Sequence, residues 1–237
     1  MKPPRFGIHP GRVLAGGYTV DRFLGSGWEG EVYLVIERLT GAHRAAKIFF
    51  PERNPKDKAA SHYARKLEHL RDCSIIIQYH HSETVRLRGQ SVTMLLSEFV
   101  EGMLLDDHIK TYPGRRMPAF EALHMLRTLA GGLAEIHEQR EYHGDLHAGN
   151  ILVRRRGIHI DAKLIDLHDD GRATASHIRE DVCQIVRVFY DLVGGQKHYA
   201  KQPPVVKSVC CGLKRSLIKR RFPTAWHLCR HLDTVEW

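Results

Sequence analysis

The hydrophobic pattern of this sequence changes from strand-like to helix-like near Gly102, and this change limits the folds open to it. Before Gly102, short runs rich in aromatic and β-branched residues alternate with turn residues, and only 57–71 has helical spacing. The strands are expected over 18–24, 31–38, 45–50 and 92–100. Beyond Gly102, apolar residues recur every three or four positions after Pro118 and again from Val182, which predicts two long amphipathic helices. The pattern predicts an α+β chain of two lobes, with a boundary between Glu98 and Gly102.

The extent of each lobe follows from the same pattern. Residues 1–13 hold three prolines and two glycines without a periodic apolar face, so they are expected to form an irregular arm. The first lobe is expected over 14–101 and the second over 102–237. Between its long helices the second lobe should contain a hairpin with arms 151–153 and 162–165, and short helices should end the chain. A chain of 237 residues with 43% hydrophobic content is long enough to bury a core.

The chain is basic, with a formal net charge of +9 and a sequence pI near 9.4, so it should attract acidic partners. The charge is densest between Lys197 and Arg230, where no acidic residue interrupts the basic residues up to Arg221. A solvated basic face is the simpler interpretation of this stretch, and an acidic partner is the alternative. Nucleic acid is disfavoured as a partner because aromatic residues for base stacking are not interleaved with the charges.

The cysteines and the absence of targeting signals bear on location. The five cysteines, at positions 73, 183, 210, 211 and 229, lack the paired CxxC spacing of a zinc or redox site, so buried and reduced thiols are expected. The sequence has no basic-plus-apolar leader and no apolar run of about 20 residues, so no transmembrane segment is expected. We expect a cytoplasmic setting, and export by a route that needs no leader is also compatible with the sequence.

A glycine cluster lies between the first two predicted strands. It contains Gly25, Ser26, Gly27 and Gly30 and ends before Val32. Glycine backbone can fold over a phosphate chain where a Cβ would obstruct close approach, so the cluster is a candidate phosphate-binding turn. Dinucleotide-binding turns have the same glycine spacing, but they open onto a helix, whereas a strand is expected here. A purely structural hairpin turn is the alternative.

A lysine interrupts the third predicted strand, where Ala45 and Ala46 precede Lys47. A buried ammonium group needs a negative partner, and a phosphate of ATP would supply one. The alternative is an edge lysine that extends its charge to solvent.

The most specific motif is His143-x-Asp145-x-x-x-x-Asn150, which follows the long helix and precedes a strand. Phosphoryl transfer needs a carboxylate near the acceptor hydroxyl, which Asp145 could supply, and oxygen ligands for magnesium, which Asn150 and Asp166 could supply. For Asp145 alone, a turn or capping residue is the structural alternative. His143 and His147 could pair on a metal ion, but the neighbouring glycines argue against the helix that would align their rings.

The glycine cluster, the strand lysine, the 143–150 motif and Asp166 follow one another in the same order as in the protein kinase family, which this chain resembles. The resemblance covers nearly the whole chain from Leu14. The opening of the first lobe is similar to that of bacterial Ser/Thr kinases. The stretch 97–102 is similar to the family's hinge, which implies backbone contacts to adenine at Glu98 and Val100. The stretch 221–225 is similar to the start of the family's last helix.

The resemblance implies a protein-kinase-like two-lobed α+β fold, with an antiparallel sheet and one main helix in the first lobe and a mostly helical second lobe. It implies binding of ATP with Mg²⁺ or Mn²⁺, and it assigns roles to three groups of residues. The implied catalytic residues are Asp145, Lys47 and His147, the last in place of a lysine that contacts the transferred phosphate. The implied ATP-binding residues are Gly25, Ser26, Gly27, Gly30, Val32, Ala45, Lys47, Glu98 and Val100. The implied metal ligands are Asn150 and Asp166.

Several positions depart from the family pattern. Gly144 replaces the common arginine, and 145–147 ends in histidine instead of lysine, as in the aminoglycoside and choline phosphotransferases that these residues also resemble. Residues 166–168 keep the carboxylate of Asp-Phe-Gly but not its glycine. Asp181 is similar to the aspartate that opens the family's central helix, yet it lies only 15 residues after Asp166, which leaves no room for a full activation segment.

Two positions compete to face Lys47 from the predicted helix. Glu68 is the only acid within 58–71 and is therefore the candidate partner, with an exposed surface charge as the alternative. Counting back along the chain from 75–77 instead places the helix position that should face Lys47 nearer to Tyr63.

Three functions are compatible with these features. The first is transfer of the γ-phosphate of ATP to a hydroxyl group, on Ser or Thr of a protein. The second is a phosphotransferase for a small molecule such as a sugar, a lipid headgroup or an antibiotic. The third is a non-catalytic module whose basic surface recruits an acidic partner.

Overall fold

The computed structural model describes residues 5–157, 159–168 and 171–236. The chain divides into two compact units. The first unit comprises the chain up to Arg71 together with Ile77–Val100, and the second comprises Asp72–Ile76 and the chain from Glu101 onward.

The first unit is built on a six-stranded antiparallel sheet. Its elements are β1 (Val13–Leu14), β2 (Tyr18–Ser26), β3 (Gly30–Glu37), β4 (His43–Phe49), α1 (Lys58–His69), β5 (Tyr79–Leu87) and β6 (Gln90–Glu98). Their order across the sheet is β1-β2-β3-β4-β6-β5. The four predicted strands and the predicted helix are confirmed, with ends that differ by at most two residues.

The core of the first unit follows from the two-residue period of a strand, which places residues i and i+2 on the same face. In four strands such an apolar pair is buried together. These pairs are Tyr18 and Val20, Tyr33 and Val35, Ala46 and Ile48, and Met94 and Leu96. Burying each large apolar side chain stabilises the fold by about 1.5–3 kcal/mol, so this face fixes the register of the sheet.

Strand β5 is absent from the sequence prediction because most of its side chains are polar. It lies at the edge of the sheet, pairs with β6, and buries Val85 and Leu87. The turn that joins β5 to β6 consists of Arg88 and Gly89, both with positive φ, of 50° and 78°. Its polar sequence is that of an edge strand with one face in water.

The N-terminal arm packs on the first unit. Residues 5–12 form no helix or strand, as expected, whereas Val13, the last residue of the predicted arm, is the first residue of β1. Residues 1–4 lie outside the described part of the chain. Phe6 stacks on Phe50 with ring centroids 5.3 Å apart, and Ile8 is buried in the core. The backbone N–H of Phe6 also donates to the buried carboxylate of Glu31 at 3.2 Å. The arm is therefore irregular in conformation but part of the packed unit.

The second unit is mostly helical. Its elements are β7 (Met103–Leu104), α2 (Leu105–His108), α3 (Ala119–Glu138), β8 (Ile151–Arg156), β9 (His159–Leu164), α4 (Ala175–Leu192), α5 (Gly195–Tyr199), α6 (Pro204–Cys210), α7 (Arg215–Arg221) and α8 (Ala225–Asp233). The three strands form an antiparallel sheet in the order β7-β8-β9. The predicted hairpin and both long helices are confirmed, and so is the predicted α+β class. Within the described ranges, no helix has the length and apolar character to cross a bilayer.

Helix α4 begins earlier than the sequence suggested. The pattern placed its start near Asp181, but its first residue is Ala175, and Thr174 caps it by accepting the N–H of His177 at 3.3 Å. Asp181 therefore lies inside the helix, two turns from its start.

Contacts with α3 and β9 explain why 72–76 belongs to the second unit. The N–H of Leu164 donates to the carbonyl of Ile75 at 2.7 Å, and Nζ of Lys163 donates to the carbonyl of Ile76 at 3.2 Å. On the helix side, a Cβ at Gly132 would lie 2.4 Å from the side chain of Ile75, so only glycine permits this approach.

Candidate active site

The glycine cluster forms the connection between β2 and β3 in the first unit. The N–H of Gly27 donates to the carbonyl of Gly30 at 2.9 Å and closes the turn. A Cβ at Gly30 would lie 2.1 Å from the carbonyl oxygen of Ile48, so Gly30 is required by the approach of β4. At Gly25 and Gly27, by contrast, a Cβ would meet no atom of the described chain within 4 Å. The outer side of this turn is thus open backbone, which is what the approach of a phosphate chain requires.

Lys47 lies on β4, with a side chain only 12% exposed. Its Nζ is 2.8 Å from Oε2 of Glu29, a residue of the glycine turn. The same Nζ lies 4.3 Å from the ring centroid of Tyr63 on α1, close enough for a cation–π attraction of about 0.5–2 kcal/mol. The ion pair with Glu29 has no counterpart in the sequence prediction.

The expectation that Glu68 is the partner of Lys47 is corrected by the structure. Oε1 of Glu68 accepts from Nη1 of Arg71 at 3.0 Å, and its side chain is 51% exposed. The helix register counted back from 75–77 proves to be the better guide, because Tyr63 is the α1 residue that faces Lys47.

The other predicted nucleotide contacts of the first unit lie on neighbouring strands. Val32 of β3 is paired with Lys47 of β4, and Ala45 is paired with Ser97 of β6. Glu98 ends β6, where its N–H donates to the carbonyl of Gln78 at 2.8 Å. Ser26 is exposed and Val100 is half-buried at the end of the first unit. The sheet therefore brings this half of the predicted set onto adjacent strands.

In the second unit, the loop between α3 and β8 brings Asp145 and Asn150 together. Nδ2 of Asn150 donates to the carbonyl of Asp145 at 2.9 Å and lies 3.5 Å from its Oδ2. Both of these bonds use the amide nitrogen, so the amide oxygen of Asn150 faces away from Asp145. The carboxylate of Asp145 is 62% exposed, and an exposed carboxylate beside a buried amide can accept a proton from an incoming hydroxyl.

His143 is fully buried and supports the loop through both ring nitrogens. Its Nδ1 accepts the N–H of Asp145 at 3.3 Å, so its Nε2 carries the proton and donates to the carbonyl of Ile165 at 3.0 Å. This geometry fits a structural imidazole and not a member of a metal pair with His147.

Two side chains of helix α4, about one turn apart, form hydrogen bonds with backbone groups of the same loop. The buried carboxylate of Asp181 accepts the N–H groups of His143 and Gly144, each at 2.8 Å. Oε1 of Gln184 accepts the N–H of Leu146 at 2.9 Å, and its Nε2 donates to the carbonyl of Gly144 at 3.3 Å. The sequence prediction missed Gln184, although its i+3 spacing from Asp181 was the available signal.

Asp166 follows β9 and is fixed by the same loop. The N–H of Ile165 donates to the carbonyl of Asn150 at 3.0 Å, and the N–H of His168 donates to the carbonyl of His143 at 2.8 Å. Asp166 itself has a φ of 56°, in the left-handed region that non-glycine residues adopt at a cost and that is common at functional sites. A carboxylate and an amide oxygen are ligands that magnesium prefers, so Asp166 and Asn150 fit a divalent ion.

His147 begins the short helical turn Ala148–Asn150 and caps it. Its Nδ1 accepts the N–H of Gly149 at 3.0 Å, and its Nε2 lies 3.7 Å from Oδ2 of Asp145. Because Nδ1 is the acceptor, the neutral ring carries its proton on Nε2, where it can donate toward Asp145 or a bound anion.

Comparisons with known proteins bear on the family of this chain. The family model described as protein kinase domain matches residues 18–193. The chain is 33% identical over 158 residues to the serine/threonine-protein kinase pkn2 of Myxococcus xanthus, covering 65% of this chain and 18% of that protein. It is 27% identical over 152 residues to the serine/threonine-protein kinase Nek11 of Homo sapiens, covering 62% of this chain and 23% of that protein. The chain thus spans about a fifth of the length of these curated relatives.

Solved structures share the fold. The kinase domain of PknI from Mycobacterium tuberculosis superimposes with a TM-score of 0.68 at 20% identity, covering 96% of this chain and 97% of that one. A double mutant of the same domain gives a TM-score of 0.69 at 19% identity.

Proposed function

Because this chain belongs to the protein kinase family, we propose that it transfers the γ-phosphate of ATP to a hydroxyl group, on Ser or Thr of a protein. The observation that carries the proposal is the loop that holds Asp145 and Asn150 together, with Nδ2 of Asn150 2.9 Å from the carbonyl of Asp145. Phosphoryl transfer is catalysed by positioning and by charge stabilisation, so a loop fixed by buried bonds is the expected support for it.

Each candidate residue has a chemical task under this proposal. Asp145 orients the acceptor hydroxyl and takes its proton, since its carboxylate is exposed and held at a fixed point of the loop. Asn150 and Asp166 supply oxygen ligands for Mg²⁺ or Mn²⁺. When bound, the metal ion neutralises charge on the phosphate chain. Lys47 binds phosphate oxygens through its ammonium group.

The remaining candidates bind the nucleotide through backbone and packing. The open backbone at Gly25 and Gly27 covers the phosphates, with Ser26 and Gly30 completing the turn. Backbone groups at Glu98 and Val100 contact adenine, and the half-buried side chains of Val32 and Ala45 pack on its ring.

A protein substrate is favoured because the two curated relatives described above are named as serine/threonine-protein kinases. A small hydroxyl compound as acceptor remains the competing proposal, motivated by Gly144 and His147.

The basic stretch between Lys197 and Arg230 supports a further part of the proposal, an acidic partner. Arg215 and Lys219 already lie near the carboxylate of Glu180, the latter at 3.5 Å, so part of this charge is internally balanced. The exposed Lys214, Arg220 and Arg221 are the charges that an acidic partner would meet.

A reducing compartment such as the cytoplasm is the setting we propose, because all five cysteines are free. Burial raises the pKa of Cys210 to about 12, so this thiol stays protonated and unreactive.

The test is phosphate transfer by an Asp145→Asn variant. Labelled ATP is supplied with a mixture of Ser/Thr peptides and, separately, with small hydroxyl compounds, while ATP binding is measured by calorimetry. We expect transfer to peptides to fall by about a hundredfold or more, with ATP affinity retained. Asp161→Asn is the control, because Asp161 is an exposed carboxylate paired with Arg156 at 3.3 Å. Unchanged transfer by Asp145→Asn would contradict the role of Asp145. Transfer by the wild-type chain to small compounds alone would identify the other acceptor class. Failure of the wild-type chain to bind ATP would favour a non-catalytic module.

A further inference from the structure

The ammonium group of Lys47 forms an ion pair with a carboxylate of the glycine turn. Its Nζ donates to Oε2 of Glu29 at 2.8 Å, while its side chain is only 12% exposed. A charge removed from water needs a partner of opposite sign, and a carboxylate at this distance is a strong one.

Helix α1 contributes an aromatic face to the same ammonium group. The ring centroid of Tyr63 lies 4.3 Å from Nζ of Lys47, and that of Phe49 lies 5.2 Å from it. Aromatic rings attract a cation through their quadrupoles, but they carry no net charge. The acid of this helix, Glu68, is paired with Arg71 at the surface.

The turn that carries Glu29 is itself anchored to the chain that follows β4. The N–H of Phe50 donates to the carbonyl of Glu29 at 2.8 Å. The guanidinium of Arg53 lies 3.4 Å from the ring centroid of Trp28. The backbone of Glu29 is thus fixed, and its side chain, 40% exposed, extends from a defined point toward Lys47.

We infer that Glu29 is a positioning residue that holds the ammonium group of Lys47 for a nucleotide phosphate, in the place where a helix carboxylate would otherwise act. This inference rests on the proposed function. The ion pair couples the glycine turn to Lys47, so both contacts to the phosphate chain are set together. Because an ammonium group has three N–H donors, Lys47 can keep the bond to Glu29 and still donate to phosphate oxygens.

The experiment measures the binding of ATP and of adenosine, together with phosphate transfer to a Ser/Thr peptide mixture, in Glu29→Gln. Glutamine keeps the size of the side chain and removes its charge. We expect kcat/KM for ATP to fall by about tenfold, the loss of one charge-assisted bond, while the affinity for adenosine is unchanged. Glu37→Gln is the control, because Glu37 lies on β3 and pairs with Arg44 at 3.9 Å.

A second variant moves the carboxylate to the helix. In Glu29→Gln/Tyr63→Glu the acid is placed on α1 where the ring now faces Lys47, and kcat/KM should recover relative to Glu29→Gln alone. If the double variant does not fold, Glu29→Asp provides the comparison, because it keeps the charge and should retain more activity than Glu29→Gln.

The outcomes separate this inference from the proposed function. If the wild-type chain binds ATP and transfers phosphate but Glu29→Gln equals it or exceeds it, the inference is overturned and the function stands. A higher ATP affinity in Glu29→Gln would mean that Glu29 competes with phosphate for Lys47. If the wild-type chain does not bind ATP, the proposed function is overturned and the role of Glu29 with it.

Discussion

The carboxylate of Asp181 accepts the backbone N–H of Gly144 at 2.8 Å, so a residue in the middle of α4 fixes the loop that carries Asp145. A second N–H, that of His143, reaches the other carboxylate oxygen at the same distance. A buried carboxylate with two backbone donors is a rigid support, because moving the loop would remove both of these donors from a buried charge. Nε2 of His137 also lies 3.1 Å from Oδ2 of Asp181.

We expect Asp181→Asn to destabilise the chain and to lower phosphate transfer. An amide offers one oxygen acceptor and one NH₂ donor, so one of the two loop N–H groups would face another donor. The free energy of unfolding should fall by about 1–3 kcal/mol, which urea denaturation can measure. Asp191→Asn is the control, because Asp191 lies on the same helix in an exposed pair with Arg187. Equal stability of the two variants would contradict this role.

The stability of the chain should respond differently to alanine at two glycines of the same turn. In Gly30→Ala the new Cβ would lie 2.1 Å from the backbone oxygen of Ile48, which no side-chain rotation relieves, so the variant should lose about 1–3 kcal/mol of stability. In Gly27→Ala the new Cβ meets no described atom within 4 Å, so stability should change by less than about 0.5 kcal/mol. Under the proposed function, Gly27→Ala should still weaken ATP binding. Thermal denaturation and calorimetry with ATP and adenosine distinguish the two effects, and an equal loss of stability would refute the expected difference.

The candidate loop could be predicted because phosphoryl transfer requires particular residue types at a particular spacing. Phosphoryl transfer calls for a carboxylate and oxygen ligands, and the spacing of Asp145 and Asn150 places them on one loop. The strands were predictable where apolar residues alternate, as at Tyr33 and Val35. Strand β5 could not be predicted in this way, because most of its side chains are polar and exposed, so apolar residues do not alternate along most of it.

The partners of the predicted residues could not be derived in the same way. One turn of helix decides whether Glu68 or Tyr63 faces Lys47, and sequence spacing does not fix a helix boundary to that accuracy. The reach of Glu29 depends on the fold of the glycine turn. Gln184 acts on the loop through backbone groups, so no side chain of the loop indicates it as a partner, and its i+3 spacing from Asp181 is a weak signal.

Burial of His108 should make the chain less stable in acid. The side chain is 7% exposed, and burial lowers its pKa below the ordinary value of 6.5, with Arg155 acting in the same direction and Glu121 against it. As pH falls through 6.5, the unfolded chain binds a proton that the folded chain does not, so stability is lost. Above that value the histidine is neutral in both states and has no effect.

The measurement is the free energy of unfolding of the wild type and of His108→Gln at about pH 7.5 and about pH 5.5. Glutamine does not titrate, so the variant should lose less stability between the two pH values. Some loss should remain, because burial also lowers the pKa of His80 and of His231. A variant with the full wild-type pH dependence would show that His108 does not contribute.

The two ring nitrogens of His147 can be tested separately. Nδ1 accepts the N–H of Gly149 at 3.0 Å, and Nε2 points to Asp145 at 3.7 Å. In His147→Asn the side-chain oxygen can replace Nδ1 as the cap, but nothing replaces Nε2. Stability should therefore change by less than about 0.5 kcal/mol, while phosphate transfer falls.

In His147→Lys the cap is lost and a cation is gained. Losing a capping acceptor costs about 0.5–2 kcal/mol, so this variant should be less stable than His147→Asn. Under the proposed function, its ammonium group takes the place of Nε2 as the donor to the transferred phosphate, so its transfer rate should exceed that of His147→Asn and approach that of the wild type. Thermal denaturation ranks the two variants by stability, and labelled-ATP assays rank them by transfer rate. If His147→Asn matches the wild type in rate, His147 only caps the turn. If His147→Lys is the slower of the two variants, the side chain does not stabilise the charge of the transferred phosphate.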